Sequence, residues 1–337
     1  MKILKVLLYI LLALILVLVL LGFVGPKSYD VSRTIEINAP VSVAFAYLKS
    51  LKKQNEWGPW SEMDTTMQVS YYGEDGTVGF VSRWDGEKAG KGEQRISSIS
   101  GTTVETDLTF NTPWGDSKSV GYLHAANVAS GTEVTWGFRG ENNFIGRIFG
   151  VFMNMEKGVG PMFEKGLQNL KQMIESDISK EYRGHKVNIV DFPVHQYVAA
   201  RGNVPMDGIA AFFGQHSGRI VAALNKANVS MTGVPTGLYF TWDEQSGTTD
   251  MAVGIPVSGS ATVPNTEMMT VPAGKALTID YHGSYDGLQS AHLAIDEFIN
   301  STGVQTKMPV IEEYVTDPQA EPDMNKWLTK IYYLLDQ

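Results

Sequence analysis

The most concentrated hydrophobic pattern lies at the N-terminus, where Val6 to Val24 reads VLLYILLALILVLVLLGFV without a charge. About 20 apolar residues are needed to cross a hydrocarbon core as a helix, and the run has that length. A cleaved signal peptide would have an apolar region of roughly 7–15 residues ending at a small-x-small site. This run is longer, and Gly22-Phe-Val-Gly25 is a poor cleavage site. The pattern therefore predicts an uncleaved anchor over residues 1–26, spanning the membrane through residues 6–24. Lys2 and Lys5 precede the helix, whereas Lys27 is soon followed by Asp30. That bias predicts a cytoplasmic N-terminus and places everything after residue 26 in the periplasm or outside.

The pattern then changes to alternation. Tyr29 to Asn38 alternates polar and apolar residues, as a half-buried strand does. Ala39-Pro40 breaks it, and Val41, Ala44, Phe45 and Leu48 fall at helical spacing. Asn55-Glu-Trp-Gly-Pro-Trp60 reads as a rigid aromatic loop. Strand-like runs follow at 68–72, 79–84, 93–99, 103–110, 119–126 and 133–139, separated by turn residues. A helical stretch from Asn143 to Ser176 carries Phe144, Ile148, Phe152, Met155, Met162, Phe163, Leu167, Leu170 and Ile174, with a predicted break at Gly158-Val-Gly-Pro161.

Residues 177–185 are polar and broken by glycine, which predicts a linker. Beyond it one pattern occurs twice. Strands at 186–193 and 196–202, a helix at 209–226 and strands at 237–242 and 250–256 are followed by strands at 266–272 and 275–282, a helix at 285–301 and strands at 310–315 and 330–335. Two strand-helix-strand-strand halves in tandem predict a pseudo-twofold domain over 186–337. The fold class is α+β: an N-terminal transmembrane helix, a domain over 28–176 of strand, helix, long antiparallel meander and long closing helix, then the tandem domain.

Composition narrows the chemistry. A formal net charge of -9 and the lack of a Lys/Arg cluster argue against nucleic acid as a partner. There is no cysteine, hence no disulfide framework, thiolate nucleophile or cysteine zinc site. No metal or cofactor site is legible.

The stretch with candidate chemistry is Met308-Pro-Val-Ile-Glu-Glu-Tyr-Val-Thr-Asp-Pro318, a short strand with adjacent carboxylates. Alternation puts Val310, Glu312 and Tyr314 on one face and Ile311, Glu313 and Val315 on the other. One glutamate must therefore face inward, either to recognise a cation or to act as a general base.

Residues 28–176 resemble the SRPBCC superfamily (START-like, polyketide cyclase/dehydrase-like), on Ile35-Glu-Ile-Asn-Ala-Pro40 entering a helix, the Trp57/Trp60 loop and the long last helix. The resemblance implies a helix-grip fold, an antiparallel sheet round the long C-terminal helix, and a cavity for apolar ligands between sheet and helix, with Trp57, Trp60, Trp84, Trp114 and Trp136 as candidate lining or core. His124 has no partner that would make it catalytic. Residues 186–337 resemble the GyrI-like, effector-binding domain. The residues that carry this are Val234-Pro-Thr-Gly-Leu-Tyr-Phe240, Val253-Gly-Ile-Pro-Val257, Pro272-Ala-Gly274, His282-Gly-Ser-Tyr285, Ile311-Glu-Glu-Tyr314 and Leu328-Thr-Lys-Ile-Tyr-Tyr-Leu-Leu335. The resemblance implies a groove for bulky cationic aromatic compounds with Glu312 and Tyr314 at its floor and Tyr239, Tyr281 and Trp327 around it. It also leaves open a hydrolase of electrophilic xenobiotics with Glu312 as general base, while the cavity implied for residues 28–176 leaves open a lipid-binding envelope carrier or sensor. No helix-turn-helix module accompanies the domain, which departs from the transcription activators of that family.

Overall fold

The structure is a computed structural model describing residues 2–112, 115–152 and 154–336. It divides into two compact units, Met1–Ser176 and Asp177–Gln337.

The first unit begins with helix α1 (Lys2–Val24). Within it Leu4–Val24 is long and apolar enough to cross a membrane, and its side chains are almost all exposed. Strand β1 (Ser28–Ile37) buries Val31 and Ile37. After Pro40 the chain enters α2 (Val41–Lys49), which buries Val43, Ala44, Ala46, Tyr47 and Leu48. The expected aromatic loop is instead largely helical, as α3 (Leu51–Trp57) and α4 (Trp60–Met63). Ser50 explains this: its extended backbone ends α2, and its hydroxyl accepts from Lys53 N at 3.1 Å, capping α3.

The meander then runs as β2 (Gln68–Tyr72), β3 (Val81–Gly86), β4 (Gly90–Ser100), β5 (Thr103–Thr112), β6 (Gly115–Val128) and β7 (Gly131–Glu141). All neighbours pair antiparallel, in the order β1-β7-β6-β5-β4-β3-β2. Gly131 starts β7 at φ 133, where a Cβ would meet Ile37 O at 2.4 Å, so only glycine lets the turn approach the end of β1. Helices α5 (Phe144–Phe152) and α6 (Met155–Ser179) close the unit. Their break falls before the expected Gly158–Pro161, because Asn154 caps α6 by accepting from Lys157 N at 3.1 Å and Pro161 is carried inside the helix. Phe163, Leu167, Leu170 and Ile174 of α6 are buried, and the Phe163 ring stacks on Trp136 of β7 with centroids 4.2 Å apart.

In the second unit the stretch expected as a linker is partly built in. A hairpin of β8 (Glu181–Tyr182) and β9 (His185–Lys186) buries Tyr182 against Phe298. Next come β10 (Asn188–Phe192), β11 (His195–Pro205), α7 (Ile209–Lys226), β12 (Thr236–Asp243) and β13 (Thr248–Pro256). The second half repeats this as β14 (Glu267–Val271), β15 (Gly274–His282), α8 (Leu288–Thr302), β16 (Thr306–Tyr314) and β17 (Leu328–Leu335). The eight strands form one sheet in the order β10-β15-β17-β16-β12-β13-β11-β14. That order is symmetric about the β16–β12 seam, and each half lends its first strand, β10 or β14, to the other. One sheet face meets the helices through Val198, Ala200 and Ile255 with Ile220 and Leu224. The opposite face buries Tyr197, Ala199, Leu238, Ile311 and Leu334.

Asp64 ties its own loop to the β3–β4 turn of the first unit. It is 2% exposed and accepts from Thr66 N and Oγ1, Lys88 N and Ala89 N at 2.5–3.0 Å. The Thr66 hydroxyl and the Ala89 and Lys88 amides hold its carboxyl well below the usual range. A depressed native pKa stabilises fully above the unfolded value of about 3.9 and is lost as pH falls through the native one. Thermal denaturation of Asp64→Ala should show a lower midpoint than wild type at neutral pH, the gap narrowing below about pH 4.

Candidate functional site: a carboxylate at the seam of two half-domains

The β16–β12 register puts Glu312 opposite Gly237, on the strands that join the two halves. Glu312 is only 8% exposed, and its carboxylate is fully engaged. Oε2 accepts from the Tyr314 hydroxyl and, at 3.3 Å, from the Tyr239 hydroxyl. Oε1 accepts from His292 Nε2 at 2.9 Å. Tyr239 and Tyr314 also touch each other at 3.0 Å between hydroxyls. His292 Nδ1 lies 3.0 Å from Tyr333 Oη, so the tautomer consistent with the network has Tyr333 donating to Nδ1 and Nε2–H donating to Glu312.

Gly237 makes this geometry possible. A Cβ there would lie 2.8 Å from Cε2 of Tyr239, so the missing side chain leaves the space in which the Tyr239 ring leans toward the carboxylate. Burial, and next the Glu312 charge, push the Tyr239 and Tyr314 hydroxyls well above the ordinary phenol value. Both therefore stay protonated and act as donors. Burial, then Asp296 and Glu312, raise Tyr333 in the same way.

An aromatic wall stands beside the carboxylate. Phe213 of α7 meets Tyr314 edge-on at 4.6 Å between centroids, and Tyr285 meets it at 5.3 Å. Trp327 extends the wall, 5.1 Å from Tyr285, with its indole N–H donating to Glu321 O at 2.8 Å. Of the five residues expected at the site, Glu312, Tyr314 and Tyr239 are thus in mutual contact, and Trp327 joins through Tyr285. Tyr281 is the exception. It shares their sheet face through the Tyr314–Thr329–Tyr281 register, but its hydroxyl lies beneath Gly283 and Gly287, in the turn that presents Tyr285. Gly283 has φ 149, as expected of a turn that needs glycine freedom.

Sequence reading overlooked His292, Phe213's contact with Tyr314, Tyr285 and Tyr333. For His292 a signal existed: Leu288, His292 and Ile295 lie on one helical stripe, so a polar residue interrupts the buried face of α8. Leu293 of the same helix is exposed. Three donors reach the Glu312 carboxylate, none of which the strand's own alternation could supply except Tyr314. Glu313 lies on the opposite face, where it accepts from Tyr332 Oη at 3.3 Å.

The first unit encloses a cavity of ≈ 530 Å³ between sheet and α6. Trp60, Trp84 and Trp136 line it together with Phe110, Phe138 and Met162. Gln94 reaches into it, donating to Gln54 Oε1 at 3.1 Å and Thr106 Oγ1 at 3.2 Å. Trp57 is core, 1% exposed and packed edge-on against Trp136. Trp114 lies outside the described residues. His124 sits exposed beside Thr103, 2.8 Å from its hydroxyl. Among the described residues no group of His, Asp and Glu has the arrangement of a metal site.

His292→Ala would leave Tyr333 Oη and Glu312 Oε1 without their imidazole partner. A loss of about 1–3 kcal/mol from the second unit is expected in urea denaturation.

Residues 28–175 match the family model described as polyketide cyclase / dehydrase and lipid transport. Residues 185–335 match the GyrI-like small molecule binding domain. No curated protein matches significantly. Among solved structures, the C-terminal domain of EcmrR is similar at 16% identity and TM-score 0.41, covering 45% of this chain and 98% of its own. SAV2435 bound to tetraphenylphosphonium is similar at 15% identity and TM-score 0.36, covering 44% and 93%. CV1439 from Chromobacterium violaceum is similar at 12% identity and TM-score 0.33, covering 44% and 99%. The chain thus joins a domain of the polyketide cyclase / dehydrase and lipid transport family to a GyrI-like small molecule binding domain, behind an apolar N-terminal helix long enough to span a membrane.

Proposed function

We propose that this protein is held at the membrane by residues 6–24 and binds bulky aromatic cations in its GyrI-like domain, with Glu312 and Tyr314 as the floor and Tyr239, Tyr285, Phe213 and Trp327 as the wall. The observation that carries this reading is the buried Glu312 carboxylate, whose nitrogen donor among the described residues is the His292 imidazole rather than a lysine or arginine. A negative charge held in low dielectric by phenols and an imidazole retains its attraction for a cation. Aromatic faces beside it add roughly 0.5–2 kcal/mol per cation–π contact. Tyr281 contributes from behind, by supporting the turn that carries Tyr285. The cavity of the first domain, to which aromatic and methionine side chains contribute a large share of the lining, supports a separate apolar ligand and so a lipid-carrying role for residues 28–176.

A hydrolytic reading rests on the same Glu312–Tyr contacts, with the carboxylate as base toward an electrophile. Binding is favoured because Tyr314, Tyr239 and His292 already occupy the carboxylate, which leaves little of it for a water.

Calorimetry on the purified full-length protein tests the assignment, with tetraphenylphosphonium as a probe carrying one delocalised positive charge and four rings. Wild type should bind it, and Glu312→Gln should weaken binding at least about tenfold, the equivalent of 1.4 kcal/mol. Unchanged affinity in Glu312→Gln would sink the assignment, and loss of turnover of an electrophile in that variant would favour the hydrolase. For topology, the Lys2 and Lys5 bias supports a cytoplasmic N-terminus. A single Glu244→Cys in intact spheroplasts should react with a membrane-impermeant maleimide; reaction only after lysis would reverse the orientation.

A further inference from the structure

Helix α5 presents exposed apolar side chains, Ile145 and Phe152 among them. Ile145, Ile148, Phe149 and Phe152 form an i, i+3, i+4, i+7 stripe, and Phe152 is 72% exposed. Phe144, Ile145, Phe149 and Val151 are roughly half exposed. The nine residues contain no carboxylate, and Arg147 is their single charge.

The back of α5 is seated on the C-terminal end of α1 and the segment that follows. Phe144 meets Phe23 edge-on at 5.8 Å between centroids. Small residues bring the backbones together: a Cβ on Gly25 would lie 2.1 Å from Arg147 O, and one on Gly150 would lie 2.7 Å from Pro26 Cγ. Asn142, just before α5, donates from its side chain to Pro26 O at 3.0 Å and from its backbone to Lys27 O at 2.8 Å. The helix therefore has a fixed height relative to α1.

That height can be read from length. The 21 residues of Leu4–Val24 extend about 30 Å at the 1.5 Å rise of a helix, the thickness of a hydrocarbon core. No apolar residue is left over to hold the following segment away from the bilayer, so Phe23 to Pro26 lie at its surface. Whatever packs on them lies there too.

We propose that α5 lies in the bilayer interface as a second, in-plane membrane contact, with Ile145, Ile148 and Phe152 toward the acyl chains, and thereby fixes how the first domain sits on the membrane. The proposal rests on the reading of α1 as a span. One consequence is that α6, which follows α5 directly and contributes Met155, Val159 and Met162 to the cavity lining, starts at the membrane surface.

Because the chain has no cysteine, Ile145→Cys, Phe152→Cys, Leu14→Cys and Glu74→Cys each give a unique nitroxide site. These would be made in the full-length protein, reconstituted into vesicles of phosphatidylcholine and phosphatidylglycerol. Labels at 145 and 152 should collide several-fold less with a water-soluble nickel relaxant than the label at 74, and more with oxygen, at a depth shallower than the label at 14. Water accessibility at 145 and 152 equal to that at 74, with 14 at acyl depth, would overturn the proposal and leave the span intact. Aqueous signals at all of 14, 145 and 152 would overturn both. Protection from nickel and oxygen alike, with dipolar broadening between labels, would mean that a second copy of the chain covers α5 and would also overturn it.

Discussion

A carboxylate removed from water at the seam between two half-domains is the constraint around which the second domain is arranged. Burying Glu312 would be costly without donors. The fold supplies them from three directions: Tyr314 two residues along the same strand, Tyr239 from the facing strand of the other half, and His292 from the helix above. Each donor has its own requirement. Tyr239 needs the empty space at Gly237, and His292 needs its second nitrogen engaged by Tyr333. The seam is therefore polar at one point and apolar around it, with Val204, Met251, Val253 and the α7 phenylalanines packed beside Tyr239.

The pseudo-twofold arrangement explains why the site lies there. The order β10-β15-β17-β16-β12-β13-β11-β14 makes β16 and β12 the inner pair, and the first strand of each half pairs with the other half. Such an exchange makes the halves interdependent, so neither is a free-standing unit. The aromatic wall combines α7 of one half with the β15–α8 turn and the β16–β17 connection of the other. The site needs both halves in their relative places.

In the first unit the organising interaction is apolar. Helix α6 packs Phe163, Leu167, Leu170 and Ile174 against the sheet, and Trp136 joins helix, sheet and the Trp57/Trp60 segment. The sheet curls without closing on the helix everywhere, and the space left becomes a cavity. Gln54, Gln94 and Thr106 satisfy one another at its wall, so these three are paired before any ligand enters.

The sequence by itself determined the type and order of the longer elements, because periodicities of two and of 3.6 residues are local. The apolar helix α1, the meander, the tandem halves and even the limits 209 and 226 of α7 were readable in this way. It also determined that Glu312 and Tyr314 share a face while Glu313 does not, since alternation along one strand requires no knowledge of its neighbours. Local capping was harder to see: Ser50 and Asn154 moved helix limits through hydrogen bonds that a hydrophobic pattern does not contain. Only the tertiary structure decided which residues from distant strands and helices meet that face. It brought His292, Tyr333, Phe213 and Tyr285 to the site and turned Tyr281 under a glycine turn, because register and helix docking set those distances. The physical reason is that a side chain's direction follows from its own backbone, whereas its partners follow from how the whole sheet closes.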